Sequence, residues 1–497
     1  MSVDLPDFLK SGEIARLIPV ASASQKERHA ASVLLATLSI VRPLARDLFA
    51  TIGRRVGTTT AVDAYTEVVF HNQNGERSAR PDGLLILKTS RTEWRALIEA
   101  KIGNAKIDVE QIEAYARLAR ENAIDTIITI SNELTVIPEQ TPYALPSGIG
   151  RRVAVYHWSW MKLITVATLL IAREDQFDEE QHYILKEMVR YLSHENIGVK
   201  GFHRMCSDWK PLLSKVHAGA TVQKNDIDVV NTIKCWHQEQ QDICLILSRH
   251  LRAPVSLRLK RSHRDDQSMR IADDAQALAE TKRLMAAFEV PNLAGPMEVV
   301  ADLRRRNIVC RMQVAAPEDR KRYASRLNWL LRQLPDDLDR SAVVRVYWKG
   351  GGETYASVPE LRDDVKVADI ERPGAVPRSF EVAVISDLER KFFGPQSFIE
   401  GLEAAVPQFY DSVAKHIREW RAMPPEGPAV QVDENLTEPF DRARVVRRNP
   451  DRVAHKGSID GRVYSIFEDG SIEVETPRGV KWFRDLAALQ SFAAASS

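Results

Sequence analysis

The feature that most constrains the fold is a pair of short apolar runs, Leu84-Leu85-Ile86-Leu87 and Ala96-Leu97-Ile98, with the polar patch Thr89 to Arg95 between them. Runs of this length and character read as buried strands, and the polar patch as the turn that joins them. The turn Arg80-Pro81-Asp82-Gly83 leads into the first run, so Asp82 sits at the mouth of a strand. In the second run, Glu99 and Lys101 fall on one face, because side chains alternate with period two along a strand. A hairpin between the runs brings Asp82 beside them.

These residue types suit one chemistry. Asp82 and Glu99 offer hard oxygen ligands for magnesium, which keeps several waters and takes one or two carboxylates from a protein. The Lys101 ammonium can orient or help deprotonate a water and offset charge developing on a phosphate under attack. A lysine buried beside two acids is tolerable only if the three neutralise one another or a ligand. A Glu-x-Lys pair alone reads first as solvated charge on an edge hairpin. The preceding turn-borne Asp, the helix that follows and the flanking apolar residues favour catalysis.

Pro81-Asp82 followed one hairpin later by Glu99-Ala100-Lys101 resembles the signature of the PD-(D/E)xK (restriction-endonuclease-like) nuclease superfamily. Gln111-Ile112-Glu113-Ala114-Tyr115 on the next helix resembles the Gln-x-x-x-Tyr element of its RecB-like branch. Gln111 and Tyr115, at i and i+4, share a helical face and can reach the site or a DNA phosphate. An amphipathic helix with a half-buried Tyr accounts for them equally well. The resemblance implies an α/β core with a mixed central sheet flanked by helices, in the order helix, three strands, helix, strand.

The element pattern agrees. Gln25 to Ala50 forms one long amphipathic helical pattern, with Ser22 or Ser24 as caps. Ala61 to His71 alternates as a strand, Asp108 to Asn122 reads as the second helix, and Asp125 to Ser131 is rich in β-formers. A later strand, Arg152 to Trp158, and helices through Leu192 complete the unit. Two further acids are candidates: Glu27 on the first helix, where the resembled superfamily often places an auxiliary Glu, and Glu67 in the first strand. Glu67 is preferred, since apolar neighbours on both sides suggest an inward-facing acid. A salt bridge or a cap explains either one as readily.

The rest of the chain is bounded more loosely. Its 497 residues suffice for two or three domains with separate cores. A formal charge of +1 with 28% charged residues provides no global field for nucleic acid. Basic sections occur locally, from Arg304 to Arg332 and from Arg442 to Arg452, and a solvated helix face is the safer reading for the stretch from Arg320 to Arg332. Cys206, Cys235, Cys244 and Cys310 lack metal-ligand spacing. The start, Met1 to Asp7, is unlike a signal peptide, and Leu163 to Ala172 is too short to span a membrane, so a reduced cytoplasmic protein is expected.

Three parts are expected: a nuclease-like domain over 1–205, an α+β domain of open role over 206–422, and a linker with a small β-rich module over 423–497. In the middle part, Trp209 to Leu251 reads as helical, Val255 to Lys260 as a strand, Asp274 to Phe288 as a helix, Met297 to Ala315 as a hairpin, Pro317 to Leu334 as a helix, and Gln396 to Trp420 as a long helix. Gly350-Gly351-Gly352 is a hairpin turn, because no Gly-Lys-Ser/Thr follows. In the last part, three strands over Gly461 to Phe483 form a module that docks or recruits a partner protein.

The expected function is a magnesium-dependent nuclease, with manganese as a substitute, that hydrolyses DNA phosphodiesters in repair or in defence against foreign DNA. Asp82 and Glu99 hold the metal, Lys101 activates the attacking water, Gln111 orients substrate or lysine, and Glu67 is the weaker third acid. DNA over RNA follows from the resemblance alone. A homodimer would bring two sites to two strands, although no residue speaks for it directly. The alternative is a catalytically idle nuclease-like protein that binds nucleic acid or regulates a partner.

Overall fold

The two apolar runs become inner strands of a six-stranded sheet. Its strands are β1 (Leu9–Ile14), β2 (Ala61–Phe70), β3 (Gly83–Lys88), β4 (Glu93–Ala100), β5 (Thr126–Ser131) and β6 (Ala154–Ser159), lying side by side in that order. The first four pair antiparallel, whereas β4–β5 and β5–β6 are parallel. A parallel pair needs a crossover, and α3 (Val109–Glu121) supplies the one between β4 and β5. The computed structural model describes residues 6–14, 17, 25–71, 80–146, 149, 153–173, 178–368, 374–421, 453–459, 462–467, 471–476 and 479–483. Ser22, Ser24, the stretch 423–428 and the arginines from Arg442 to Arg452 lie outside the described residues.

Alternation along β4 divides two cores. Ala96, Ile98 and Ala100 pack with Leu34, Leu35 and Leu38 of α1 (Lys26–Ile40) and with Leu163 of α4 (Trp160–Ile171), while Leu97 faces Ile112 and Tyr115 of α3. The sheet is therefore covered on both faces, which is why its central strands carry unbroken apolar runs. The expected single helix from Gln25 to Ala50 is two, α1 and α2 (Arg42–Ala50), broken at Val41. Pro43 in the first turn of α2 explains the break, since its ring would clash with the Ser39 carbonyl one turn back and it has no N–H to continue the α1 hydrogen-bond ladder. Gly83, directly after Asp82, lies under α1. A Cβ there would run into the Leu35 side chain and stand 3.1 Å from the Tyr65 carbonyl.

The chain divides into two compact units, Met1–Met423 and Pro424–Ser497. The first also contains a seven-stranded antiparallel sheet, built of β7 (Ser256–Leu257), β8 (Arg283–Glu289), β9 (Met297–Asp302), β10 (Asn307–Ala315), β11 (Ala342–Trp348), β12 (Glu353–Ser357) and β13 (Pro377–Asp387). Its strand order is β12-β11-β13-β10-β9-β8-β7. The helices packed with it include α6 (Trp209–His217), α7 (Ile227–Leu251), α9 (Gln267–Thr281), α10 (Tyr323–Leu331) and α12 (Pro395–Ser412), with α5 (Glu179–Leu192) in the first layer and the short α8 (Arg261–Asp265) and α11 (Val358–Asp363) completing the set. The helix expected over Asp274 to Phe288 ends at Thr281: Lys282 takes a left-handed φ of 59°, and Arg283 onward becomes β8. Ser256–Leu257 is the only strand within Val255 to Lys260. The helices expected to reach Leu334 and Trp420 end at Leu331 and Ser412.

Among the described residues, the second unit has four strands where three were expected: β14 (Val453–Ile459), β15 (Arg462–Phe467), β16 (Ile472–Thr476) and β17 (Gly479–Phe483), antiparallel in chain order. Ile472 and Val474 form its small core against Tyr464, Ile466 and Phe483. Among the described residues, no helix is long and apolar enough to cross a membrane.

Candidate active site

Side-chain alternation places Glu99 and Lys101 on the α3 face of β4, and the antiparallel β3–β4 pairing carries Asp82 to the same end. Glu99 is fully buried. One of its oxygens receives the Lys101 ammonium at 2.6 Å, and the other receives the Tyr115 hydroxyl at 2.8 Å. Asp82 accepts the Ala100 backbone N–H at 2.8 Å, which fixes the acid across the hairpin. Trp160 donates to the Lys101 carbonyl at 2.9 Å and Lys101 N–H donates to Ile130 at 2.8 Å, so the backbone beneath the ammonium is held from both sides.

Burial governs the electrostatics. Asp82 is pushed up to about 7 by desolvation, with the Glu99 charge adding to the rise. Glu99 is also raised, chiefly by desolvation, although Lys101 and Tyr115 work against it. For Lys101, burial favours the neutral amine, but Glu99, Asp82 and Glu27 together outweigh it and hold the ammonium charged. The Tyr115 hydroxyl is raised by desolvation and by Glu99, so it remains a donor.

Helix α3 contributes through a relay. Gln111 donates to the Tyr115 oxygen at 2.7 Å, leaving the Tyr115 proton for Glu99. Gln111 thus positions the tyrosine, and its contact with the acid is indirect. Asp108 caps the helix by accepting from Glu110 N–H, which sets the register of Gln111 and Tyr115 against the sheet.

Of the two further acids, the geometry sets Glu27 near Lys101 and Glu67 with arginines. Glu27 in the first turn of α1 lies 3.8 Å from the Lys101 ammonium and accepts the Ile102 N–H at 3.2 Å. Glu67 is paired with Arg80 at 2.8 Å and Arg28 at 3.4 Å. It sits at a left-handed φ of 53° within β2 and donates its N–H to the Asp82 carbonyl at 3.3 Å, so its part is to brace the Asp82 turn. The signal that separates the two acids was tertiary, since α1 must pack across β4 before Glu27 meets Lys101.

Asp82 and Glu99 fit a divalent cation by donor type: two buried carboxylates, both raised, whose charge together with Glu27 exceeds that of Lys101 alone. Magnesium asks for no more protein carboxylates than these. Among the described residues, no group of three His, Cys, Asp or Glu is arranged to hold a metal ion. No protein-family model, curated protein or solved structure matches the chain.

In the basic section between Arg304 and Arg332, Arg326 and Arg311 have structural partners. Arg326 is buried and donates to the carbonyls of Arg320, Pro377 and Glu318, while Arg311 pairs with Glu298 and Glu381. Gly350 to Gly352 turn between β11 and β12 with φ of 93°, 95° and 82°, a backbone that glycine adopts without strain.

Proposed function

We propose that the chain is a metal-dependent nuclease of the PD-(D/E)xK type that hydrolyses phosphodiester bonds, with DNA as the expected substrate. One observation carries the reading: Asp82, Glu99 and Lys101 converge at one end of the β3–β4 hairpin, with Glu99 fully buried and bonded to Lys101. The strand order, antiparallel through β4 and parallel beyond it, supports the same class.

In this reading Asp82 and Glu99 hold magnesium, which when bound polarises the phosphate and makes an attacking water more acidic. Lys101 presents a charged ammonium to the reaction and offsets the negative charge that builds on the phosphate oxygens. Tyr115 favours the ionised form of Glu99 against desolvation and fixes its rotamer, and Gln111 keeps Tyr115 pointed at it. Glu27 steadies the Lys101 ammonium from the far side.

A second reading, an idle nuclease-like domain that binds nucleic acid or regulates a partner, draws on the closure of both Glu99 oxygens by Lys101 and Tyr115. One experiment separates the two. Full-length protein and its Lys101→Ala variant are incubated with supercoiled, linear and single-stranded DNA and with RNA, in magnesium, manganese or chelator. Cation-dependent cleavage by the parent, lowered at least about 10³-fold in the variant with an unchanged circular-dichroism spectrum, is expected. Full activity in the variant would sink the assignment, and no cleavage by the parent would favour the idle reading.

A further inference from the structure

Beside the Lys101 end of β4, between the six-stranded sheet and α7, opens a cleft of about 510 Å³ whose charged lining, among the described residues, is four cations and one carboxylate. Lys106 comes from the loop after β4, Lys200 and Arg204 from the segment before α6, and Lys234 from α7. We propose that the phosphodiester backbone of the substrate runs through this cleft and is held there by these four cations. The proposal rests on the nuclease reading and extends it to how the polymer is gripped.

The charges have no internal explanation. Among the described residues none of the four forms an ion pair with a carboxylate, in contrast with Arg311 and Arg345, which each reach glutamates on their own sheet. Lys200 meets Asn104 at 3.1 Å and His203 at 3.3 Å, neither of them a carboxylate. Glu133 is the one carboxylate in the lining, and burial raises it toward its neutral form even though Lys106 pulls the other way. Four like charges facing one concavity repel one another, and a polyanion relieves that repulsion while releasing its own counterions. The chain as a whole is almost neutral at +1, so this concentration is local.

The walls are also built to keep their spacing. The Asn132 side-chain amide donates to Gly103 at 3.0 Å and Gly198 at 2.9 Å, and its oxygen accepts the Lys200 N–H at 3.2 Å. Gly103 N–H donates to the Gly198 carbonyl at 2.9 Å. Gln238 of α7 accepts the Leu134 N–H at 2.6 Å and so ties the helix bearing Lys234 to the same corner. Gly103 lines the cleft two residues after Lys101, a chain distance of at most about 7 Å. A strand whose scissile phosphate sits at Lys101 therefore enters the cleft with its adjacent phosphates.

The test measures binding without turnover. Full-length protein in chelator is titrated into fluorescein-labelled 30-mers of single-stranded DNA, duplex DNA and RNA across a salt series, alongside Lys106→Gln, Lys200→Gln, Arg204→Gln, Lys234→Gln and the fourfold variant. Each single variant is expected to reduce the salt slope by about 1, and the fourfold variant to weaken binding by about 10²-fold, for whichever polymer the parent binds. Unchanged affinity and slope in folded variants overturn the cleft even if the parent cleaves, and a parent that binds none of the polymers overturns it too. Binding lost in the variants of a parent that cleaves nothing in any metal would instead retain the cleft and remove the nuclease. Where the fourfold variant does not fold, the singles decide.

Discussion

Glu99 on β4 and Glu239 on α7 are both completely buried, yet they sit in opposite electrostatic situations. Glu99 has each oxygen satisfied, by Lys101 and by Tyr115. Neither oxygen of Glu239 has a hydrogen-bond partner, and its acid neighbours Asp242 and Glu403 add to the desolvation that pushes it well above the usual carboxylate range. Arg249 offsets Asp242 and Glu403 and donates to Thr165, and no cation is among the causes of the Glu239 shift. The comparison teaches that burial of an acid does not mark a site. A prepared site is marked by donors that work against desolvation of the carboxylate, as Lys101 and Tyr115 do for Glu99, whereas an acid without them is driven toward the neutral form.

The sharpest way to break the comparison is to make the same change in both places. Glu99→Gln is expected to lower cation-dependent cleavage by at least about 10³-fold, because the neutral amide binds the cation and the ammonium far more weakly than the carboxylate, while Glu239→Gln leaves cleavage within about twofold. Equal losses in a cleavage assay at saturating substrate would erase the distinction.

Stability separates the two acids in the other direction. Replacing Glu239 with an apolar side chain of similar shape, Glu239→Met, removes an unsatisfied buried group and is expected to stabilise the fold by about 1–3 kcal/mol at pH 8. The gain shrinks toward pH 5. Glu239, Asp242 (about 6) and Glu403 (about 7) are raised above their unfolded values, so the stability they contribute is present at low pH and is lost as pH rises through those folded values. Denaturant melts of both proteins at pH 5 and pH 8 read it directly, and a larger gain at pH 5 contradicts the account.

The same sign governs the site. Asp82 at about 7 holds its proton below neutrality, and a cation must displace that proton to bind. Magnesium or manganese affinity, read as a thermal shift, is therefore expected to rise about tenfold per pH unit up to pH 7 and to level off above it. A flat profile between pH 5.5 and 8 removes Asp82 from the ligand set.

The smallest effect concerns the relay. Tyr115→Phe deletes one charge-assisted hydrogen bond to Glu99 and leaves the ring packing, so a loss of about 1.5–3 kcal/mol in transition-state stabilisation, or about 10- to 150-fold in kcat/KM, is expected. Gln111→Ala should cost less than Tyr115→Phe, since it acts through the tyrosine. The reverse order would assign Gln111 a direct contact with substrate.

The central hairpin was legible because its information is local. Two apolar runs specify buried strands, a Pro-Asp-Gly turn specifies the entry, and period two aligns Glu99 with Lys101. The order of preference between Glu27 and Glu67 was not legible, because it depends on where α1 crosses the sheet and on Arg28 and Arg80 capturing Glu67. The end of α9 at Thr281 was missed for a related reason: Ala286 and Phe288 fit a helical stripe as well as a strand, and pairing with β9 decides between them.

By itself, then, the sequence determined which residues can carry chemistry and which short segments are strands, since side-chain type and local periodicity travel with the chain. Only the tertiary structure decided which acids meet, which cations stay unpaired and which buried carboxylate finds donors. Those outcomes depend on desolvation and on distances between groups far apart in sequence, such as Glu27 and Lys101 or Asn132 and Gly198.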